Sequence, residues 1–152
     1  MIIGMDADLS HSPSYIPVML EMMSGQVCDI VVGSRYIPGG GVDGGWGWER
    51  KLLSRGAQLW ARTLLRLKTH DVTGAFRCYS RQALQVLDLE RMRQDGFGFL
   101  IEIIYQAERR SLRIGEMPII FRDRQYGTSK VSGRIVVKAL MHVVSLRLAG
   151  ES

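Results

Sequence analysis

Ile2-Ile3-Gly4-Met5-Asp6-Ala7-Asp8-Leu9-Ser10-His11-Ser12-Pro13 is the stretch whose reading decides the fold. Its apolar opening reads as a short buried strand, and the acidic doublet stands at the end of that strand. Two carboxylates one residue apart in such a place reach the same side of a turn, where a hard divalent cation with oxygen ligands accepts them. The ion keeps open positions that the oxygens of a diphosphate-bearing substrate fill, so the charge of a leaving diphosphate is neutralised. The plainer reading is that the acids favour a turn or cap the next helix. The rest of the chain has to choose between them.

Working outward, Ser12 and Pro13 read as cap and first turn of a helix that ends by Gly25. Asp29-Ile30-Val31-Val32-Gly33 is a short apolar run bounded by turn residues, hence a buried strand. Strand, helix, strand is the opening of an α/β domain. Ser34-Arg35-Tyr36 then leads into Pro38-Gly39-Gly40-Gly41 and Asp43-Gly44-Gly45, a loop expected to be mobile because glycine leaves the backbone unrestrained. From Glu49 to about Leu67 an apolar pattern predicts a helix that carries Arg50, Lys51, Arg55, Arg62 and Arg66.

Thr73 to Tyr79 reads as a turn into an extended stretch, and Arg81 to Leu87 as a short helix. Leu100 to Ala107 is apolar nearly all round and predicts a core helix, in which Glu102 either faces a polar site or meets a basic partner. Leu112 to Phe121 is extended with a break at Pro118. Beyond it, Arg122 to Lys130 gathers basic residues, a glycine turn and two hydroxyls just before a helix starting near Ser132, a pattern suited to phosphate. The last helix, Ile135 to Leu148, is expected to pack its apolar face in the core in preference to lying on a membrane surface.

The 152 residues fit one domain, and 46% hydrophobic residues suffice for a core. No apolar stretch is long enough to span a bilayer and the first residues do not resemble a leader, so the sequence is expected to be cytoplasmic. Cys28 and Cys78 lie in strand-like segments and read as buried thiols. A formal net charge of +5 calls for an anionic partner. Nucleic acid is disfavoured, for there is no zinc spacing, no aromatic strand signature and no basic helix-turn-helix pattern.

Seven segments in order complete the reading: Met5 to Pro13; Gly33-Ser34-Arg35-Tyr36 with the glycines behind it; Arg50-Lys51-x-x-Ser54-Arg55-Gly56; Asp71-x-Thr73-Gly74-x-Phe76-Arg77; Gly96-Phe97-x-Phe99 with Glu102; Glu116-x-Pro118-Ile119-x-Phe121; and Asp123-Arg124-x-x-Gly127-x-Ser129-Lys130. Together they resemble the dolichol-phosphate (polyprenol-phosphate) mannosyltransferases of glycosyltransferase family 2. The resemblance implies an α/β, GT-A (Rossmann-like) domain with a mixed, mainly parallel sheet. Residues 1–152 would be its C-terminal part, with the N-terminal donor-binding strands missing.

It further implies inverting transfer of a hexose, mannose from GDP-mannose in first place, to a polyprenyl or dolichyl monophosphate. Asp6, Asp8 and Ser10 would hold Mg2+ or Mn2+. Arg35, Arg50, Ser54, Arg124, Ser129 and Lys130 would bind substrate, with Asp8, Arg124 and Lys130 catalytic. The protein would sit peripherally at the cytoplasmic face of a membrane. The physics agrees: a phosphate monoester has a second pKa near 6 and is largely ionised at neutral pH, so it needs little help from a base. Bringing two anions together does need cations between them. Alternatives are a relative using another donor such as UDP-glucose, a non-catalytic remnant of the fold, and a phosphohydrolase of the strand-Asp-x-Asp type, which lacks its late acidic pair here.

Overall fold

The computed structural model describes residues 1–152 apart from 26, 44, 46, 90, 91, 93–95, 123–132 and 150–152, with the backbone alone at 133–136. Strand β1 (Ile2–Gly4) is followed by a 3-10 turn (Pro13–Tyr15) and helix α1 (Ile16–Ser24). Ser12 accepts a hydrogen bond from the Ser14 N–H and Gly25 closes α1, as the sequence predicts. Strand β2 (Ile30–Ser34) leads through β3 (Gly41–Val42) to α2 (Trp48–Leu65). Then come β4 (Arg77–Tyr79), α3 (Arg81–Val86), α4 (Phe97–Arg109), β5 (Ile114–Pro118), β6 (Ile120–Phe121) and α5 (Gly133–Ala149).

The main sheet has the order β1-β4-β2-β5. Strand β4 runs antiparallel to both neighbours, with Cys78 opposite Ile3 on one side and Val31 on the other. Strands β2 and β5 are parallel from Ile30 beside Ile114 to Ser34 beside Pro118. Thus β1, β2 and β5 share one direction and β4 alone opposes it, a mixed sheet.

All of β2 is buried, the expected state of a strand covered on both faces. Its side chains alternate between two cores. Ile30 and Val32 join Ala61 and Leu65 of α2, Ile101 and Ile104 of α4 and Val143 of α5. Val31 faces the other way, with Met19 and Met23 of α1, Cys78 and Ile119. Helices therefore cover both faces, and each aliphatic side chain so buried stabilises the fold by about 1.5–3 kcal/mol. Both cysteines are free thiols, and burial pushes both above the usual value.

The structure adds detail to two expectations. The glycine-rich segment is used for shape: Gly39 adopts φ +85°, and a Cβ on Gly40 would lie 2.5 Å from the Ser34 carbonyl oxygen. The chain turns there, with Gly40 N–H donating to Ile37 O at 2.9 Å, and then runs as β3 parallel to β6. The last helix, α5, buries Val143 and partly buries Leu146, yet Val137, Met141, Val144 and Leu148 are exposed. It packs against α2 and α4.

Candidate active site

At the end of β1 the chain reverses through Leu9, whose φ of 63° costs a branched residue about 1–2 kcal/mol. The reversal brings Ser10 back to Asp8: Asp8 Oδ1 accepts from the Ser10 N–H at 3.1 Å and from its hydroxyl at 2.5 Å. Ser10 is fully buried, and its carbonyl accepts from Arg122 N–H at 3.0 Å. Asp8 is therefore a turn former, as the plainer reading has it. A carboxylate offers about four lone-pair sites, so this does not exhaust it as a metal ligand. Asp6 lines a cavity of about 490 Å³, its side chain 44% exposed, whereas Asp8 and Ser10 are not among the residues that line it.

That cavity lies where α2, α4 and α5 meet the end of the sheet. Its polar lining includes Asp6, Arg35, Glu49, Arg50 and Ser54, and its apolar lining includes Leu53 and Trp60 from α2, Phe97 and Ile101 from α4, and Leu140 and Val143 from α5, so that α2 contributes to both. Four residues expected at the site are thus brought together. Arg124, Ser129 and Lys130 lie outside the described residues. Ser54 Oγ stands 2.7 Å from the Tyr36 hydroxyl, which ties α2 to the segment that follows β2.

Arg35 is already engaged. Its Nε and Nη2 donate to the two oxygens of Asp71 at 2.7 and 2.8 Å, and its backbone N–H adds a third bond at 3.1 Å. A phosphate would have to be met by Nη1. Asp71 is fully buried and also accepts from Gln58 Nε2 at 3.0 Å and the Gly74 N–H at 2.9 Å. Burial works against its charge, but the hydrogen bonds and positive charge of Arg35 outweigh burial and hold the carboxyl below its usual value. Gln58 Oε1 accepts from Val72 N–H at 3.0 Å, and Thr73 Oγ1 accepts from Gln58 at 2.6 Å. The loop carrying Asp71 is pinned from outside: Glu108 accepts from the Lys68 and Thr69 N–H groups and Glu116 from those of His70 and Asp71.

Sequence reasoning placed Asp71 in a motif without a role and passed over Gln58. A lone glutamine on an amphipathic helix leaves no periodic signal, and only its burial beside Asp71 reveals it. Glu102 takes the structural alternative, 2.8 Å from His142 Nε2 and bonded to Gln106, tying α4 to α5. Among the described residues no group of three or more His, Cys, Asp or Glu is placed to hold a metal. The two carboxylates of the opening motif, with oxygen donors and room for a substrate's oxygens beside Asp6, are what this chain offers a hard cation.

A sequence profile of Glycosyl transferase family 2 matches residues 1–88. The chain belongs to that family. Its mixed sheet with helices on both faces is the GT-A arrangement. The chain is similar to the undecaprenyl-phosphate mannosyltransferase of Micrococcus luteus, 37% identical over 151 residues, covering 99% of this chain and 61% of that protein. It is also similar to the polyprenol monophosphomannose synthase of Mycolicibacterium smegmatis, 35% identical over 151 residues, 99% of this chain and 56% of that one. The chain therefore spans somewhat more than half the length of these relatives.

Proposed function

We propose that the protein carrying this chain transfers a hexose from a nucleoside diphosphate sugar to the phosphate of a polyprenyl monophosphate, with inversion at the sugar. Mannose from GDP-mannose is the donor put first, and UDP-glucose the alternative. The observation that carries the reading is the cavity, whose lining combines carboxylate and cationic groups with apolar side chains, in a chain that aligns over nearly its full length with two polyprenyl-phosphate mannosyl enzymes.

Asp6 and Asp8 are the residues assigned to Mg2+ or Mn2+, and Ser10 supports them by holding Asp8 in its turn. The ion, when bound, supplies charge that stabilises the departing diphosphate. Arg35, fixed by Asp71, and Arg50 bring positive charge to the polar lining, which lowers the cost of placing the donor's diphosphate beside an anionic acceptor. Arg124, Ser129 and Lys130 are assigned the acceptor's phosphate on sequence grounds alone. The acceptor, already ionised, attacks without a dedicated base. Its first isoprenoid units suit the apolar lining from α2, α4 and α5.

Exposed apolar side chains on α2 and α5, among them Trp48, Leu52, Leu59, Met141 and Leu148, stand among Lys51, Arg55 and Lys138. Such a face favours peripheral contact with an anionic membrane, where the acceptor resides. Among the described residues no helix is long and apolar enough to cross a membrane. The test is a donor panel: full-length protein with undecaprenyl phosphate and radiolabelled GDP-mannose, UDP-glucose or GDP-glucose. The expected result is label entering the lipid fraction from GDP-mannose at least about tenfold faster than from the others, a difference of about 1.4 kcal/mol. Equal or faster transfer from UDP-glucose would replace the donor assignment, and label in no lipid product would refute the reaction.

A further inference from the structure

His11 belongs to the opening motif and has no part in the reaction outlined above. The residue is 4% exposed, and both ring nitrogens are sealed from solvent without a hydrogen-bond partner among the described residues. Folded proteins rarely leave a buried donor and acceptor so. The ring cannot turn freely to find partners, because it stacks on Phe76 with centroids 5.1 Å apart and meets the edge of Phe121 at 5.2 Å. Its Nε2 stands 3.5 Å from Asp6 Oδ2, a gap slightly longer than a good hydrogen bond. Asp6 is 44% exposed, so the mobile member of the pair is the carboxylate and the fixed member is the imidazole.

We propose that His11 is a positioning residue, whose Nε2–H takes hold of one Asp6 oxygen when Asp6 engages a divalent cation, leaving the other oxygen to face the ion. This rests on the metal role given to Asp6 above. Carboxylates that ligate metals are themselves hydrogen-bonded, and removing the outer partner lowers metal affinity by ten- to a hundredfold. The aromatic clamp explains why this position suits histidine: Phe76 and Phe121 hold a flat ring, and only one with a donor on its edge can also serve Asp6. Direct ligation by Nε2 fits less well, because that atom has no access to the cavity's solvent whereas Asp6 does.

The experiment is titration of Mn2+ alone into full-length protein, with free ion read by electron paramagnetic resonance. His11→Phe keeps the packing and loses the donor, and its Kd for Mn2+ is expected to rise about tenfold or more. His11→Gln puts an amide nitrogen where Nε2 was and should stay within about threefold of the parent, whereas His11→Asn reaches only the Nδ1 position and should behave like His11→Phe. Should His11→Phe fail to fold, the Gln and Asn pair decides. An unchanged Kd in the Phe or Asn variant, or equal loss in Gln and Asn, overturns the proposal. Asp6→Asn separates the two readings: if it abolishes Mn2+ binding while the His11 variants do not, only the positioning role falls. If Asp6→Asn binds Mn2+ as tightly as the parent, the metal assignment falls and this proposal with it.

Discussion

Asp71 and Arg35 meet through two parallel hydrogen bonds in a place that water does not reach, with side chains 0% and 8% exposed. Breaking one partner of such a pair leaves an uncompensated buried charge, which costs about 3–5 kcal/mol. Asp71→Asn is therefore expected to lower unfolding stability by that order, measured by urea denaturation, and a loss under about 1 kcal/mol would argue against the network. The pH dependence has a definite sign. Asp71 and Asp29, the latter held down by hydrogen bonds from Arg113, have folded-state values below the unfolded carboxyl value of about 3.9. Their stabilisation is complete above that value and is lost as the pH falls through the lower folded values. Acid unfolding of Asp71→Asn should accordingly show a shallower pH slope below pH 4. At this scale the sequence was legible where residues cluster: Asp6, Arg35, Arg50 and Ser54 do share one cavity. It was less legible where a role depends on burial. Arg35 reads as a bare phosphate ligand until Asp71 is found across it, and His11 reads as an ordinary motif residue until its orphaned nitrogens are seen.

Helices α2 and α5 show what periodicity conveys and what it leaves out. The apolar pattern located both, though α2 ends at Leu65, two residues before the sequence suggests, with Arg66 as a left-handed cap in place of a helical residue. Yet the pattern does not say which apolar residues find partners. Gln58, Ala61 and Leu65 are buried, while Leu52, Leu53 and Leu59 are 64%, 58% and 64% exposed. If that exposed row inserts into lipid, Leu52→Ser with Leu59→Ser should leave the melting temperature unchanged and weaken flotation with anionic vesicles about tenfold per leucine, taking about 1.5 kcal/mol for each insertion. Undiminished flotation would remove α2 from the membrane contact. The glycine segment teaches the opposite lesson. Composition conveys backbone freedom and not shape: Gly39 at positive φ and Gly40 against the Ser34 carbonyl make a turn that needs glycine and delivers β3 to β6.

On the scale of the whole molecule, the order β1-β4-β2-β5 places the ends of β1 and β2 on either side of the reversed strand β4, so Asp6 after β1 and Arg35 after β2 line one cavity. The α/β class, the helices on both faces and the family could be read from motif order. The reversed direction of β4 could not, because three residues carry too little pattern to set strand polarity. The central claim is that the carboxylates of the opening turn drive sugar transfer to a lipid phosphate through a divalent cation. It is tested most directly by following transfer of labelled hexose to undecaprenyl phosphate by full-length protein, its Asp6→Asn variant and the parent protein treated with chelator. The account predicts a loss of at least about a hundredfold in both treatments, about 2.7 kcal/mol of transition-state stabilisation, with Mn2+ restoring the chelated parent and not the variant. Undiminished transfer by Asp6→Asn, or indifference to chelator, would contradict it.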